Sequence, residues 1–464
     1  MYPIRPVPKP YAWGSYDRLQ GMFRHDCGAG GDGPLAEMWF SGHAESPSML
    51  DRADLGPISL RDAIGADATT MVGSHGSERF GPVLPFLFKI ISARIPLSLQ
   101  VHPVDFEARA GFNAQNADGV PLDSSIRSFK DPLAKHEMVV ALEDFDACVG
   151  FAPVSRMLAN LRIVDHPLAR RMVTALSARA AWDGESSGTF PSADAMMPMA
   201  ASVWPESWKR VFRAFHASIT APDGEGIGSA LRVASARASG TRSAMAFRHA
   251  LAAVEAFGDD PSIMSLLMLN PLSLRQGESV FIPAGTPHAY IHGTGAEIMT
   301  NSDNVLRAGM TVKHKDIASL LHTVSCRPSP SINPMGTRLD SFSLGDAVAY
   351  KPDLREFMLV YGRVDGDHQV WPLSQRLAQR YGRLSQRLNQ RLNGAQGQRG
   401  PRVLLCTEGT VFCSTRSGGM LLERGDAVFI CDAEGFATIR PAPEPRRSPD
   451  SQPYGVFLLA STQL

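Results

Sequence analysis

The chain reads as mainly β, a jelly-roll barrel interrupted by an α-helical insertion and followed by a second, smaller β unit. Three observations predict this. Residues 96–103, Pro-Leu-Ser-Leu-Gln-Val-His-Pro, alternate apolar and polar side chains without a break, the period-two signature of a strand with one buried face. Residues 274–292 set short apolar runs between glycines and prolines, the punctuation of antiparallel strands joined by tight turns. Residues 421–430 then repeat the Gly-(Glu/Asp)-x-Val-Phe-Ile of residues 274–282, which predicts a second unit of the same architecture.

Size and composition bound the reading. At 464 residues the chain is too long for one simple core, and two or three domains are expected. A formal net charge of zero argues against a nucleic-acid or membrane-surface binder. The six cysteines, Cys27, Cys148, Cys326, Cys406, Cys413 and Cys431, form no Cys-x-x-Cys pair, so a reducing compartment is expected. Residues 1–16 carry prolines and charges where a signal peptide needs an apolar run, and no later stretch is long enough to span a bilayer. A cytoplasmic protein follows.

Taken in order, residues 1–48 are rich in glycine, proline and aromatics, with strand alternation at Glu37, Trp39 and Ser41 and a surface loop at residues 28–33. Residues 84–94 are apolar except for Lys89 and Ser92, so Lys89 either snorkels or is aimed into a site. On the strand at 96–103, Leu97, Leu99 and Val101 fill a core while Ser98, Gln100 and His102 face the other way. Residues 106–112 suggest a short helix. The strand at 130–142 puts Lys135, Glu137 and Val139 on one face and His136, Met138 and Val140 on the other. A glutamate in such apolar company needs a positive partner or a cation.

Residues 154–257 differ in kind, with helical spacing at Phe247, Leu251 and Val254 before Gly258 and Pro261. Gly224-Glu-Gly-Ile-Gly228 within them has the wrong spacing for a dinucleotide fingerprint. Strand character returns at residues 263–270 and runs on to 292, where His288, Tyr290 and His292 share a face. Arg307 lies among apolar neighbours in an otherwise polar stretch, which is unusual for a solvated arginine. From about residue 327 a smaller β unit follows, with strands at 403–408, 409–412, 419–430 and 454–460. Its Cys431-Asp-Ala-Glu-Gly-Phe436 stands where the first unit has Pro283-Ala-Gly-Thr-Pro-His288, so the second copy has lost that ligand. Residues 373–392 repeat Ser-Gln-Arg-Leu, an exposed amphipathic helix or a disordered insert without assigned chemistry.

Collecting the residues that face one side of three strands gives Gln100, His102, Glu137 and His288. Two imidazoles with two oxygen donors suit zinc or another borderline divalent metal.

The pieces Pro85-Phe-Leu-Phe-Lys89, residues 96–103, Lys135-His-Glu137, Pro283 to Tyr290 and Ser302-Asp-Asn-Val-Leu-Arg-Ala-Gly309 resemble the motifs of type I phosphomannose isomerases. The resemblance runs from Tyr11 to about Asp316 and weakens beyond. It implies a zinc-dependent cupin with a helical insertion and a second, degenerate cupin-like domain. The expected domains are residues 1–153 with 259–326, the helical insertion 154–258, and 327–464 with an Arg/Gln-rich insert at about 373–400. It implies interconversion of mannose 6-phosphate and fructose 6-phosphate, with one zinc ion on Gln100, His102, Glu137 and His288. Arg307 would stabilise negative charge or hold the phosphate. Lys135, Asp303 and Glu297 are the candidate bases, although Lys135 equally suits a charge partner of Glu137 and Asp303 a turn. Lys89, Ser98 and Lys313 fall around substrate and phosphate, and Trp13, Glu37 and Tyr290 line the sugar pocket. A small-molecule partner and a monomer are expected.

One departure stands out. Leu133-Ala-Lys-His-Glu137 replaces the family's Asn-His-Lys-Pro-Glu, so Ala134 stands where a histidine is expected and His136 should point away from the site. Two other readings stay open: an isomerase of another sugar, phosphorylated or not, and a non-catalytic metal-binding cupin that senses sugar phosphate.

Overall fold

The computed structural model describes residues 1–23, 33–52, 56–178, 190–333, 337–338, 346–365, 400–442 and 453–463. The loop expected at 28–33 falls almost wholly outside them, and so do Cys27 and the repeat at 373–392. Among the described residues the strands form two antiparallel sheets, of ten and eleven strands, with the helices of residues 154–257 packed on the first.

The first sheet is built on the long strand His288–Thr300. Its first half pairs with Leu99–Val101 and Phe145–Phe151, its second with Phe86–Ala93 and Glu137–Ala141. The change of partners falls at Gly293, whose φ of 120° is open only to glycine and where an added Cβ would lie 2.4 Å from the Asp144 carbonyl oxygen. Bending one strand this way lets residues from four others converge.

The helices Val154–Leu161, Pro167–Ser177, Glu206–Ile219, Ile227–Ala238 and Ala244–Phe257 share one apolar core with the outer face of that sheet. Leu99 and Val101 belong to this core, so the residues opposite Gln100 on their strand are clamped by the helical segment. Phe151 meets Phe215 edge to face, with ring centroids 5.3 Å apart. Gly226 caps the helix Ile227–Ala238 in a left-handed conformation, and its N–H and that of Gly228 both donate to Asp259, which gives the glycine cluster a structural use.

A second core, including Phe40, Phe88, Met138, Leu405, Phe429 and Leu458, joins the two sheets. The N-terminal strand Tyr2–Arg5, which precedes the first sheet in sequence, pairs with Ala427–Ile430 and so extends the second. The repeated sequence produces a repeated turn. Arg275 N–H donates to Glu278 Oε2 at 2.8 Å and Glu423 N–H to Asp426 Oδ2 at 2.9 Å, with Gly277 and Gly425 both at positive φ. The registers agree as well, Ile282 opposite Glu137 and Ile430 opposite Arg402. Arg402 therefore occupies in the second sheet the place of Glu137 in the first, fully buried.

Several expectations are corrected. Residues 263–270 are not a strand: Pro261–Met268 is a 3-10 helix, and the strand is Leu269–Leu274. Asp260 caps that helix through Ser262 N–H, and its residues from Ser262 onward are all buried. An apolar run buried on every side carries no period that separates helix from strand. The helix at 106–112 extends over Asp105–Ala117. The strand at 96–103 is ladder-bonded only over Leu99–Val101, and residues 403–412 lie in one continuous strand, Arg402–Thr415. His292 is exposed, because a bulge between Tyr290 and His292 breaks the alternation that would place it beside His288.

Candidate metal centre

Three strands deliver the central cluster. Gln100 lies opposite both His288 and Arg307 in the ladder, His102 follows at the strand's end, and Glu137 opens Glu137–Ala141. His102, Glu137 and His288 are buried, and a donor atom from each lies within 4.8 Å of the other two. His102 Nε2 is 3.1 Å from Glu137 Oε1, His288 Nε2 is 3.2 Å from Glu137 Oε2, and Gln100 Nε2 is 3.1 Å from His288 Nε2.

The protons explain why this arrangement needs a cation. His102 Nδ1 lies 2.7 Å from the Asn304 carbonyl oxygen and His288 Nδ1 lies 2.9 Å from that of Thr286. A carbonyl can only accept, so both Nδ1 atoms carry hydrogen and each Nε2 of a neutral ring offers a lone pair. Burial holds the His102 imidazole down to about 4, against the pull of Glu137, so the ring is neutral near pH 7. Burial opposes charge on Glu137 too, but the neighbouring His102 and Lys135 keep its carboxyl well below the usual range. The His102 lone pair therefore faces a carboxylate, and His102 Nε2 and Glu137 Oε2 are buried without a hydrogen-bond partner. A divalent cation resolves this, and the carbonyls on the outer nitrogens are the customary support for metal-binding histidines. Half a turn of the Gln100 amide presents its oxygen to the same point.

Lys135 lies just before its strand, yet its Nζ reaches 3.1 Å from Glu137 Oε1. A second charged group stands beside the first. Lys89 is opposite Glu297 in the ladder, and its Nζ is 2.7 Å from Glu297 Oε2 and 2.9 Å from Glu37 Oε1. Burial disfavours the ammonium, but Glu297, Glu37 and Glu137 together hold it well above the ordinary lysine range. Burial pushes the Glu297 carboxyl up in spite of Lys89. Tyr290 donates to Glu297 Oε1 at 2.5 Å and Trp39 Nε1 donates to Glu37 Oε2 at 2.8 Å. Lys89 thus bridges two buried carboxylates rather than snorkelling.

The remaining candidates are placed as follows. Arg307 is half-buried on Leu306–Gly309, near Asp303 and Tyr11. Asp303 donates its N–H to Asp131. Lys313 is exposed, its Nζ 5.1 Å from the Tyr11 ring centroid. Trp13 contacts Tyr11 and packs on the interior cluster of the first sheet. Ser98 is half-buried, one residue before Leu99–Val101. His136 accepts from Ala284 N–H and stacks on Phe281, facing away from the cluster. Ala134 is buried, and its carbonyl accepts from Thr300 Oγ1.

Sequence reasoning missed Tyr11. Burial, with the charges of Glu37 and Asp303, pushes its phenol up to about 12, so it sits where those groups and Arg307 meet. Its only signal was membership of the aromatic stretch 11–13. Thr286 and Asn304 were missed because they act through backbone carbonyls, which carry no side-chain signature.

Antiparallel strands converging on a dry two-histidine, one-carboxylate cluster define a protein built to hold a divalent metal ion. Residues 1–154 match the profile of the catalytic domain of type I phosphomannose isomerases. The chain is 35% identical over 321 residues to the mannose-6-phosphate isomerase of Salmonella typhimurium, covering 69% of this chain and 74% of the relative. It is 32% identical over 392 residues to that of Escherichia coli, covering 80% and 90%. The solved mannose 6-phosphate isomerase of Salmonella typhimurium, bound to its substrate F6P and to zinc, aligns with a TM-score of 0.75 and 26% identity over 100% of both chains. The chain belongs to the type I mannose-6-phosphate isomerase family.

Proposed function

We propose that this chain interconverts mannose 6-phosphate and fructose 6-phosphate, with one zinc ion held by Gln100, His102, Glu137 and His288. The observation that carries the reading is the cluster of inward lone pairs against a buried carboxylate, two of whose polar atoms have no partner. When bound, the metal supplies Lewis-acid polarisation of the sugar oxygens at C1 and C2.

The chain's own groups do the rest. The reaction removes the proton from C2 of the open-chain aldose, leaves an enediolate, and returns a proton to C1. Glu297, Lys135 and Asp303 are the candidates to move that proton: Glu297 accepts from Tyr290 and pairs with Lys89, and Lys135 pairs with Glu137. Arg307 and Lys313 bring cations to one side of the site, suited to the phosphate through charge-assisted hydrogen bonds. Tyr11, Trp13 and Trp39 supply aromatic walls for the sugar.

In domain terms, the reading assigns a cupin barrel to residues 1–153 and 259–326, whose strands Tyr2–Arg5, Met49–Leu50 and Ile58–Ser59 nevertheless extend the second sheet, with 154–258 inserted and 327–464 as a degenerate second cupin. It includes a monomer in a reducing cytoplasm; the five described cysteines are free and buried. A coupled assay of mannose 6-phosphate isomerisation tests it: activity is lost on chelation and restored by zinc, and Arg307→Ala raises KM for mannose 6-phosphate far more than for mannose. Activity insensitive to complete metal removal would overturn the mechanism.

A further inference from the structure

Three polar groups outside the cluster, the half-buried Asp131 and the buried Ser302 and Asn304, join the two loops that carry the candidate chemistry. Asp131 takes four hydrogen bonds: Leu133 N–H at 3.0 Å and Asn304 Nδ2 at 3.2 Å on Oδ1, Ser302 Oγ at 3.0 Å and Asp303 N–H at 2.9 Å on Oδ2. Asn304 answers in the opposite direction. Its Oδ1 accepts from Lys130 N–H at 2.7 Å and Asp131 N–H at 3.2 Å, while Nδ2 donates to the carbonyls of Asp131 and Leu133 at 2.8 and 2.9 Å. Asn304 and Ser302 are fully buried. The loop at 130–135, which ends on Lys135, is thereby sewn to the loop at 302–304, which carries Asp303. The same Asn304 presents its backbone carbonyl to His102 Nδ1.

We infer that Asp131 and Asn304 are positioning residues for the metal centre: they lock the Asn304 peptide so that its carbonyl fixes the tautomer and ring plane of His102, and they hold Lys135 and Asp303 in place through the same lattice. Neither side chain has a described contact with Gln100, Glu137 or His288. Their action passes through one carbonyl and two loops. The carboxamide is needed because it donates and accepts at once: a carboxylate at 304 would turn an acceptor against the Asp131 and Leu133 carbonyls, and an apolar residue would leave backbone groups of a buried loop without partners. Outer partners of metal-binding histidines are typically worth about 10–100-fold in affinity. The inference rests on His102 being a metal ligand.

Asn304→Asp tests it, with Asp131→Asn as the second variant should the first fail to fold. Zinc affinity is measured on the full chain by competition with a chromophoric chelator, and the His102 ring nitrogens are followed by long-range 1H–15N NMR with and without zinc. Asn160→Asp is the control for a merely structural loss, since Asn160 is equally buried and donates to Leu267 O inside the helical segment. The expected result is a loss of about 10–100-fold in zinc affinity for either clamp variant, a mixture of His102 tautomers in the metal-free protein, partial recovery of activity by excess zinc, and unchanged zinc affinity in Asn160→Asp. Affinity within about threefold of the parent together with a single Nδ1-protonated tautomer in a folded clamp variant would overturn the inference. If the parent chain binds no zinc, the metal reading fails by itself, and the tautomer measurement alone still decides for or against the clamp.

Discussion

Lys89→Met isolates the energetics of the charged group beside the metal centre. Methionine keeps most of the apolar stem of a residue that is 7% exposed, so the loss reports the ammonium. Removing it leaves Glu37 and Glu297, at 2.9 and 2.7 Å from Nζ, as two buried carboxylates without their shared cation. Breaking a buried pair from one side costs about 3–5 kcal/mol, and the two partners place this site at the upper end. The sign of the pH dependence follows. Burial and the charge of Glu137 already raise the Glu297 carboxyl, and without Lys89 only the Tyr290 hydrogen bond opposes them. The folded variant then holds a proton that the unfolded chain releases, so its stability deficit against the parent shrinks as pH falls from about 7 toward about 5. Urea unfolding at several pH values measures this, and adding Glu297→Gln to Lys89→Met should restore a substantial part of the loss. A deficit under about 1 kcal/mol, or one that grows on acidification, would refute the reasoning.

Further outcomes follow from single residues. Arg402 stands where the first sheet has Glu137, so metal analysis should find no second site, and Glu137→Gln alone should abolish tight zinc binding. Because His136 faces Ala284 and Phe281, His136→Asn should cost about 1 kcal/mol of stability in thermal melts and leave kcat nearly unchanged, whereas a large fall in kcat would place it in the chemistry. Gly309 follows Arg307 on its strand, and a Cβ there would lie 1.9 Å from Ser262 Oγ. Gly309→Ala should therefore destabilise by about 1–3 kcal/mol, read by denaturant unfolding, and shift the Arg307 strand enough to raise KM.

How much of this was legible in the sequence depended on whether a residue acts through its own side chain and its own period. The strand bearing Gln100 and His102 declared itself because one face is apolar and the other polar. Glu137 did so because a glutamate among Met138, Val139 and Val140 demands a partner. The repeated Gly-(Glu/Asp)-x-Val-Phe-Ile pointed to a second unit of the same architecture, and the two copies share a turn with the same hydrogen bond. Residues 261–268 misled because a segment buried on all sides loses its period. His292 misled because a bulge shifts register without altering composition. Nothing local could show that Tyr2–Arg5 completes the distant sheet, that Lys89 would find two carboxylates 52 and 208 positions away along the chain, or that Arg402 is the counterpart of Glu137. Those facts belong to the pairing of strands, and alternation along one strand does not encode its partner.

The central claim is that the cluster of Gln100, His102, Glu137 and His288 holds the metal on which isomerisation depends. Metal-stripped protein titrated with zinc, with mannose 6-phosphate isomerisation recorded at each addition, tests it most directly. The account predicts activity rising linearly and breaking at about one equivalent per chain, with Glu137→Gln giving neither tight binding nor activity. Full activity before any zinc is added, or tight binding retained by Glu137→Gln, would contradict it.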